Sequence, residues 1–292
     1  MTSELAAAAR VDAPFSGVCA VTELPEIEQG VGRYSGLIDR VWTIGKKVHG
    51  GTMVAASAAA ATSWLRAVEP ELGAGMAPIS TDADFLGAPN PGEVEYRVRI
   101  KKTGRQICLV DTELVQDGRT MVRSAVTFGQ LDDTEAAYTR SYDDMPLEPP
   151  ADAAGYEPGS TMSHIVHVGE GAEIFLDREW AVFLDGKQGP PRMRLWIRPR
   201  AGDAADPEVA AYFAMMAADI CPPVTANLGS TGWAPTVQMA TYLRRTPAPG
   251  WLRVVATTHE IGSRMFDEDH VVLDSTGAVV AQSRQLALIP RR

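Results

Sequence analysis

The chain is poor in the features that announce most chemistries. Its 292 residues include three cysteines, Cys19, Cys108 and Cys221. They are too far apart for a Cys-x-x-Cys metal knuckle and too few for a disulfide framework, so they read as reduced thiols. No apolar run approaches the roughly 18 residues needed to cross a bilayer. No stripe of Lys and Arg appears, and a net charge of −10 argues against a nucleic-acid surface. A Gly-x-Ser-x-Gly elbow is missing, and Gly45-Lys46-Lys47 lacks the hydroxyl and the spaced first glycine of a phosphate loop. Gly30-x-Gly32 with Gly36 precedes no convincing helix and makes a poor dinucleotide fingerprint. His164 and His167, on the strand expected there, would face opposite sides, so no metal is expected. Neither is any cofactor. Glu4, Arg10 and Asp12 interrupt the alanine-rich start before an apolar signal core can form, so the expected location is the cytoplasm.

What is present is repetition. The stretch from Ala77-Pro78 through Phe85-Leu86, Pro91-Gly92, Gly104 and Asp117-Gly118 to Phe128 is echoed from Ala234-Pro235 through Tyr242-Leu243, Pro249-Gly250, Gly262 and Ser275-Thr276-Gly277 to Leu288. Such self-similarity means one folding unit used twice. The 45% hydrophobic content suffices for a large core.

Each unit reads as one helix followed by an antiparallel meander. In the first, a strand near Arg33 to Val41 leads to His49-Gly50-Gly51, which opens an alanine-rich helix over Thr52 to Val68. Strands over 79–86, 93–101, 106–116 and 120–130 follow, joined by turns rich in Pro, Gly, Asn and Asp. In the second, strand-like material at His164 to Val168 and Arg192 to Arg198 precedes a helix capped by Asp206 with Pro207 at its first position. That helix should run to about Ile220 and stop at Pro222-Pro223. Strands over 236–243, 251–260, 269–274 and 279–289 complete the repeat. Between the units, Asp132-Asp133, Asp143-Asp144 and Glu148-Pro149-Pro150 mark a linker. The expected organisation is 1–130, a linker over 131–159, and 160–292.

Aligned half against half, Thr236 falls opposite Ile79, Gln285 opposite Val126 and Asp219 opposite Thr62. Val122, Ser124, Val126 and Phe128 share the face expected to lie on the helix, so Gln285 points inward. Thr236 is expected inward beside Ala240 and Tyr242. An amide and a hydroxyl on an apolar face need partners, or cost about 1–3 kcal/mol each. Asp219 follows an apolar helix at its C-terminal end, where low dielectric and the helix dipole both raise its pKa. Such a carboxylate suits a general base. Only the first helix begins with glycines, so only there can a ligand closely approach backbone N–H groups.

The Gly-Gly helix opening, Asp84-Phe85-Leu86-Gly87-Ala88-Pro89 and the closing Val280-Ala281-Gln282-Ser283-Arg284-Gln285 resemble the acyl-CoA thioesterase II family over nearly the whole chain except the linker. The resemblance implies an α+β double hot-dog, two fused units each wrapping a sheet around a central helix. It implies an acyl-CoA substrate and a water oriented by an aspartate, a threonine and a glutamine, matched here by Asp219, Thr236 and Gln285. Gln238-Met239 departs from the acidic residue and histidine found after the threonine in one such thioesterase, which bears on substrate preference. Gly51 N–H, with Gly50, is expected to hold the oxyanion. A non-catalytic acyl-CoA or lipid-binding hot-dog protein is the alternative. A hot-dog hydratase is disfavoured because nothing in the sequence resembles its paired aspartate and histidine. Trp180, Trp196, Trp233 and Trp251 are expected to pack the sheet or line an acyl channel. Exposed outer edges of two joined sheets make a homodimer the expected assembly.

Overall fold

In the computed structural model, residues 12–290 are described except 133, 143, 160–162 and 231. Glu4 and Arg10 of the N-terminal stretch, and Asp133 and Asp143 of the acidic stretch, lie outside them. Helix α1 (Gly50–Val68) is capped by His49, whose ring accepts from Thr52 N–H at 3.3 Å. Its buried alanines, Ala55, Ala56 and Ala58 to Ala61, let strands and a second helix come close on all sides. It ends before Pro70, which cannot continue it. Helix α2 (Pro207–Ala217) starts where Asp206 accepts from Glu208 N–H at 2.8 Å, as its Asp-Pro signal predicts.

Among the described residues there are fifteen strands. They are β1 (Val21–Leu24), β2 (Gly32–Ile38), β3 (Thr43–Ile44), β4 (Lys47–Val48), β5 (Ala77–Phe85), β6 (Gly92–Lys102), β7 (Cys108–Gln116) and β8 (Arg119–Gly129). The rest are β9 (Ala154–Gly155), β10 (Ala172–Leu176), β11 (Arg192–Pro199), β12 (Thr236–Leu243), β13 (Leu252–Thr257), β14 (Met265–Leu273) and β15 (Val279–Leu288). Thirteen form one antiparallel sheet in the order β1-β2-β6-β7-β8-β5-β12-β15-β14-β13-β11-β10-β9. Read outward from the β5–β12 junction, the two sides run through equivalent strands, so the sequence repeat is a structural one. The helices pack together inside this wrapped sheet, which is the α+β hot-dog arrangement expected.

The alignment of the halves needs one correction. A bulge separates Pro78 from Ser80 in β5, and another separates Thr236 from Gln238 in β12. The pairings Pro78↔Phe128 and Thr236↔Ala287 make Thr236 the counterpart of Pro78, and the bulged Val237 that of Ile79. Inward residues of β12 are Met239, Thr241 and Leu243, while Tyr242 is exposed. The inserted Val237 reverses the alternation, and that reversal turns Thr236 inward.

Two local readings also change. The segment at His164–Val168 is a turn leading to a short helix (Val168–Gly171), and the strand begins at Ala172. Tyr156 lies against Gly169 so closely that a Cβ there would sit 2.1 Å from its ring. The irregular stretch over 131–159 is more than a tether. Met145 is buried with Trp196, Trp251, Val255 and Leu273 in a second apolar cluster, and Trp196 Nε1 donates to Pro146 O at 2.8 Å. Trp233 is half exposed, and Trp180 lies under the Arg192 and Arg194 guanidiniums.

Candidate active site

The chain turns through the β3–β4 ribbon at Gly45, whose φ of 60° favours glycine, and delivers His49 to the start of α1. From the other half, α2 ends at Ala217, and Asp219 lies one tight turn further on, its N–H bonded to Met216 O. Ser283 holds that turn by donating its hydroxyl to Ala218 O. The start of α1 and the end of α2 therefore meet.

Gly51 N–H donates to Asp219 Oδ2 at 2.7 Å, while His49 Nε2 lies 3.0 Å from Asp219 O and 3.4 Å from Oδ2. The glycines permit this approach. A Cβ on Gly51 would lie 2.4 Å from Met216 O, and one on Gly50 would lie 2.5 Å from Asp219 Oδ2. The expectation that Gly51 N–H faces a substrate oxygen is corrected, because that hydrogen is committed to Asp219. The carboxylate sits at the positive end of α1, which offsets the dipole of its own helix. Burial raises the Asp219 pKa, while the His49 charge and the Gly51 hydrogen bond act in the opposite direction.

Thr236 and Gln285 form the second group. Thr236 Oγ1 donates to Gln285 Oε1 at 2.6 Å, and Gln285 Nε2 donates to Glu268 Oε2 at 3.0 Å. Glu268 Oε1 accepts from Val224 N–H at 3.0 Å. The two anomalous polar side chains are thus partners of each other. The negative charge of Asp219 is one of the influences raising the Glu268 pKa, so the two groups share one electrostatic neighbourhood.

Sequence reasoning missed His49 and Glu268. The paired aspartate and histidine whose absence counted against a hydratase is present in three dimensions, as Asp219 with His49. Nothing local in the sequence couples residues 170 positions apart. Glu268 had a legible signal. It faces Gln285 across β14–β15 as Val110 faces Val126 across β7–β8. That register puts a carboxyl on the apolar face at the place Val110 takes in the first half.

The equivalent place in the first half is filled. Tyr212, only 3% exposed, donates its hydroxyl to Thr62 Oγ1 at 2.7 Å, so a tyrosine–threonine bond stands there in place of a carboxylate. Gln285→Ala is expected to lower turnover about 10-fold or more through lost positioning. Val126→Ala should instead cost about 1–3 kcal/mol of stability through a cavity. Turnover and a denaturation midpoint measured on both variants check this. Loss of activity in a folded Val126→Ala beside a normal Gln285→Ala would place the chemistry in the first half instead.

Other reactive groups have different surroundings. Burial pushes the Cys221 thiol well up, and the charges of Glu268 and Asp219 add to the rise. Ser283 lies 3.2 Å from His270 Nδ1, but its hydrogen goes to Ala218 O. Among the described residues, His259, Asp267 and Asp269 gather closely, and Arg284 joins them with Nη2 3.0 Å from His259 Nδ1. They form an exposed ion-pair network. Two cavities of about 710 Å³ are present, one around Tyr156 and His167 and one around Trp180 and Arg244 whose lining also includes Ser283 and His270.

Residues 38–129 match the model of the acyl-CoA thioesterase N-terminal domain, and residues 142–289 that of the acyl-CoA thioesterase C-terminal domain. The chain belongs to the acyl-CoA thioesterase family. An uncharacterized protein of Mycobacterium tuberculosis is 40% identical over 274 residues, spanning 88% of this chain and 91% of that one. A putative thioesterase II from Thermobifida fusca superposes with a TM-score of 0.79 at 25% identity, covering 96% of this chain and 98% of its own. An acyl-CoA thioesterase II from Mycobacterium marinum shares the fold, with a TM-score of 0.66 at 17% identity over 95% and 98%. Among the described residues no helix is long and apolar enough to cross a membrane.

Proposed function

We propose that the protein hydrolyses acyl-CoA thioesters to a carboxylic acid and free CoA. The observation that carries this reading is a buried carboxylate, Asp219, held by Gly51 N–H at the N-terminus of α1, with its charge felt at Glu268 in the hydrogen-bonded chain Glu268–Gln285–Thr236. With Oδ2 fixed by Gly51, Oδ1 takes a proton from water as the water oxygen attacks the thioester carbonyl. Thr236 and Gln285 orient that water. The carbonyl becomes an oxyanion, and Gly50 N–H, for which no acceptor is found among the described residues, is the amide left to stabilise it. Collapse breaks the C–S bond, and the departing thiolate takes the proton from Asp219. The roles of the two glycines thus divide, one holding the base and the other facing substrate.

Release of free thiol from a panel of acyl-CoA esters tests the reading. Saturable acyl-CoA binding without thiol release would make the chain a binding protein. Because burial keeps the Cys221 thiol protonated and the Ser283 hydroxyl donates to Ala218 O, mixing with excess acyl-CoA should give no burst of CoA outrunning the acid. Mass spectrometry should find no acylated chain. A trapped adduct would overturn direct attack by water.

The His49–Asp219 contact favours one second reading, addition of water across the double bond of a 2-enoyl-CoA. Loss of enoyl absorbance without thiol release would select it.

A further inference from the structure

Glu268 is 1% exposed, replaces the valine of the other half, and has no step in the reaction above. Val224 N–H faces Oε1, and the Gln285 amide faces Oε2. The titratable groups bearing on it are Asp219 and Cys221 from the turn after α2 and Asp267 beside it on β14. His270, two residues on and on the same face, is kept neutral because burial lowers its pKa to about 3.

We propose that Glu268 is a positioning residue that sets the direction of the hydrogen bonds running through Gln285 to Thr236. Through them it decides whether Thr236 meets the reactant as an acceptor or as a donor.

The argument is one of donor and acceptor counting. An ionised carboxylate only accepts, so Gln285 must turn its NH₂ to Glu268 and its oxygen to Thr236. Thr236 then spends its hydrogen on Gln285 and leaves its oxygen lone pairs to accept from water. This is the arrangement in the structure. A proton on Glu268 has one place to go, Oε2, because Val224 N–H points at Oε1. The acid O–H then requires the oxygen of Gln285, the amide turns over, and its NH₂ faces Thr236. Thr236 must now send its own hydrogen outward. A water poised to attack needs acceptors for its hydrogens so that a lone pair faces the carbonyl, and only the ionised state supplies Thr236 as one. That consequence rests on the hydrolysis reading, while the reversal itself does not.

Burial raises the Glu268 pKa to about 8, helped by Asp219 and Asp267 and opposed by Val224 N–H and Gln285. The reversal therefore falls within the range of an ordinary titration.

The experiment follows the Gln285 side-chain amide by ¹⁵N NMR between about pH 6 and 10, assigned by its loss in Gln285→Leu, in wild type and in Glu268→Gln. In Glu268→Gln, Val224 N–H holds the new carbonyl oxygen, so the new NH₂ faces Gln285 and fixes the reversed direction. The wild-type amide should shift through one ionisation near 8. The Glu268→Gln amide should stay at the wild-type low-pH position. Turnover at the alkaline end should fall about 10-fold or more with KM within about threefold, and the rise in wild-type turnover over this range should flatten. A wild-type amide indifferent to pH, or a variant amide at the wild-type high-pH position, overturns the proposal. Absence of thiol release by wild type would overturn the hydrolysis reading and leave the amide result standing.

Discussion

Asp219→Asn is expected to lower turnover about 10²-fold or more, equivalent to about 2.7 kcal/mol of transition-state stabilisation, with little change in acyl-CoA affinity. An asparagine keeps the shape and can still accept from Gly51 N–H through its oxygen. It then presents NH₂ where the base stood, and cannot take a proton from water. Folding should not suffer. Burial holds the Asp219 pKa above that of an exposed carboxyl. The unfolded chain therefore ionises before the folded one, and this group's contribution to stability is complete at low pH and is lost as pH rises through the folded value. Removing the ionisable group should leave the denaturation midpoint at neutral pH unchanged or raised. The same elevation predicts that protonation of the base contributes, with that of Glu268, to a wild-type acid limb in kcat/KM above the ordinary carboxyl range. Near-normal turnover in folded Asp219→Asn would remove Asp219 from the chemistry.

The repeat was legible because both copies must bury the same faces, and matching turns preserve that spacing. Asp219, Thr236 and Gln285 stood out for the complementary reason, as polar groups where one copy shows what packing alone requires. Two kinds of information were hidden. The bulge at Val237 moves no residue type, so alternation counted through it puts Tyr242 on the wrong face while Thr236 still arrives on the right one. Contacts across the pseudo-twofold are the other kind. His49 reads as an ordinary cap and Gly51 as an open amide until the end of α2 is brought against them. Glu268 falls between these cases, since comparison of β14 with β7 would have exposed it.

The two glycines should fail differently when replaced, because different atoms lie above them. At Gly51 a methyl would meet Met216 O at 2.4 Å and Asp219 Cβ at 2.9 Å. The first of these is backbone in the last turn of α2, held by the helix and by the packing around it. Gly51→Ala must therefore push the helices apart, and overpacking of this kind costs about 1–3 kcal/mol. At Gly50 the methyl would meet Asp219 Oδ2 at 2.5 Å, the movable end of a side chain, and Phe85 Cζ at an ordinary 3.5 Å. Rotation of the carboxylate relieves that contact with the fold intact, and alanine is the better helix former. The rotation takes Asp219 off Gly51 N–H, and displacing a base by about 1 Å can cost 10²-fold in turnover. Gly50→Ala should thus keep the wild-type denaturation midpoint and lose about 10²-fold in turnover, while Gly51→Ala should show a lowered midpoint. The measurement is turnover and midpoint on each variant. A Gly50→Ala enzyme as active as wild type would mean that the carboxylate works from another position, and the contact between the start of α1 and the end of α2 would then be packing alone.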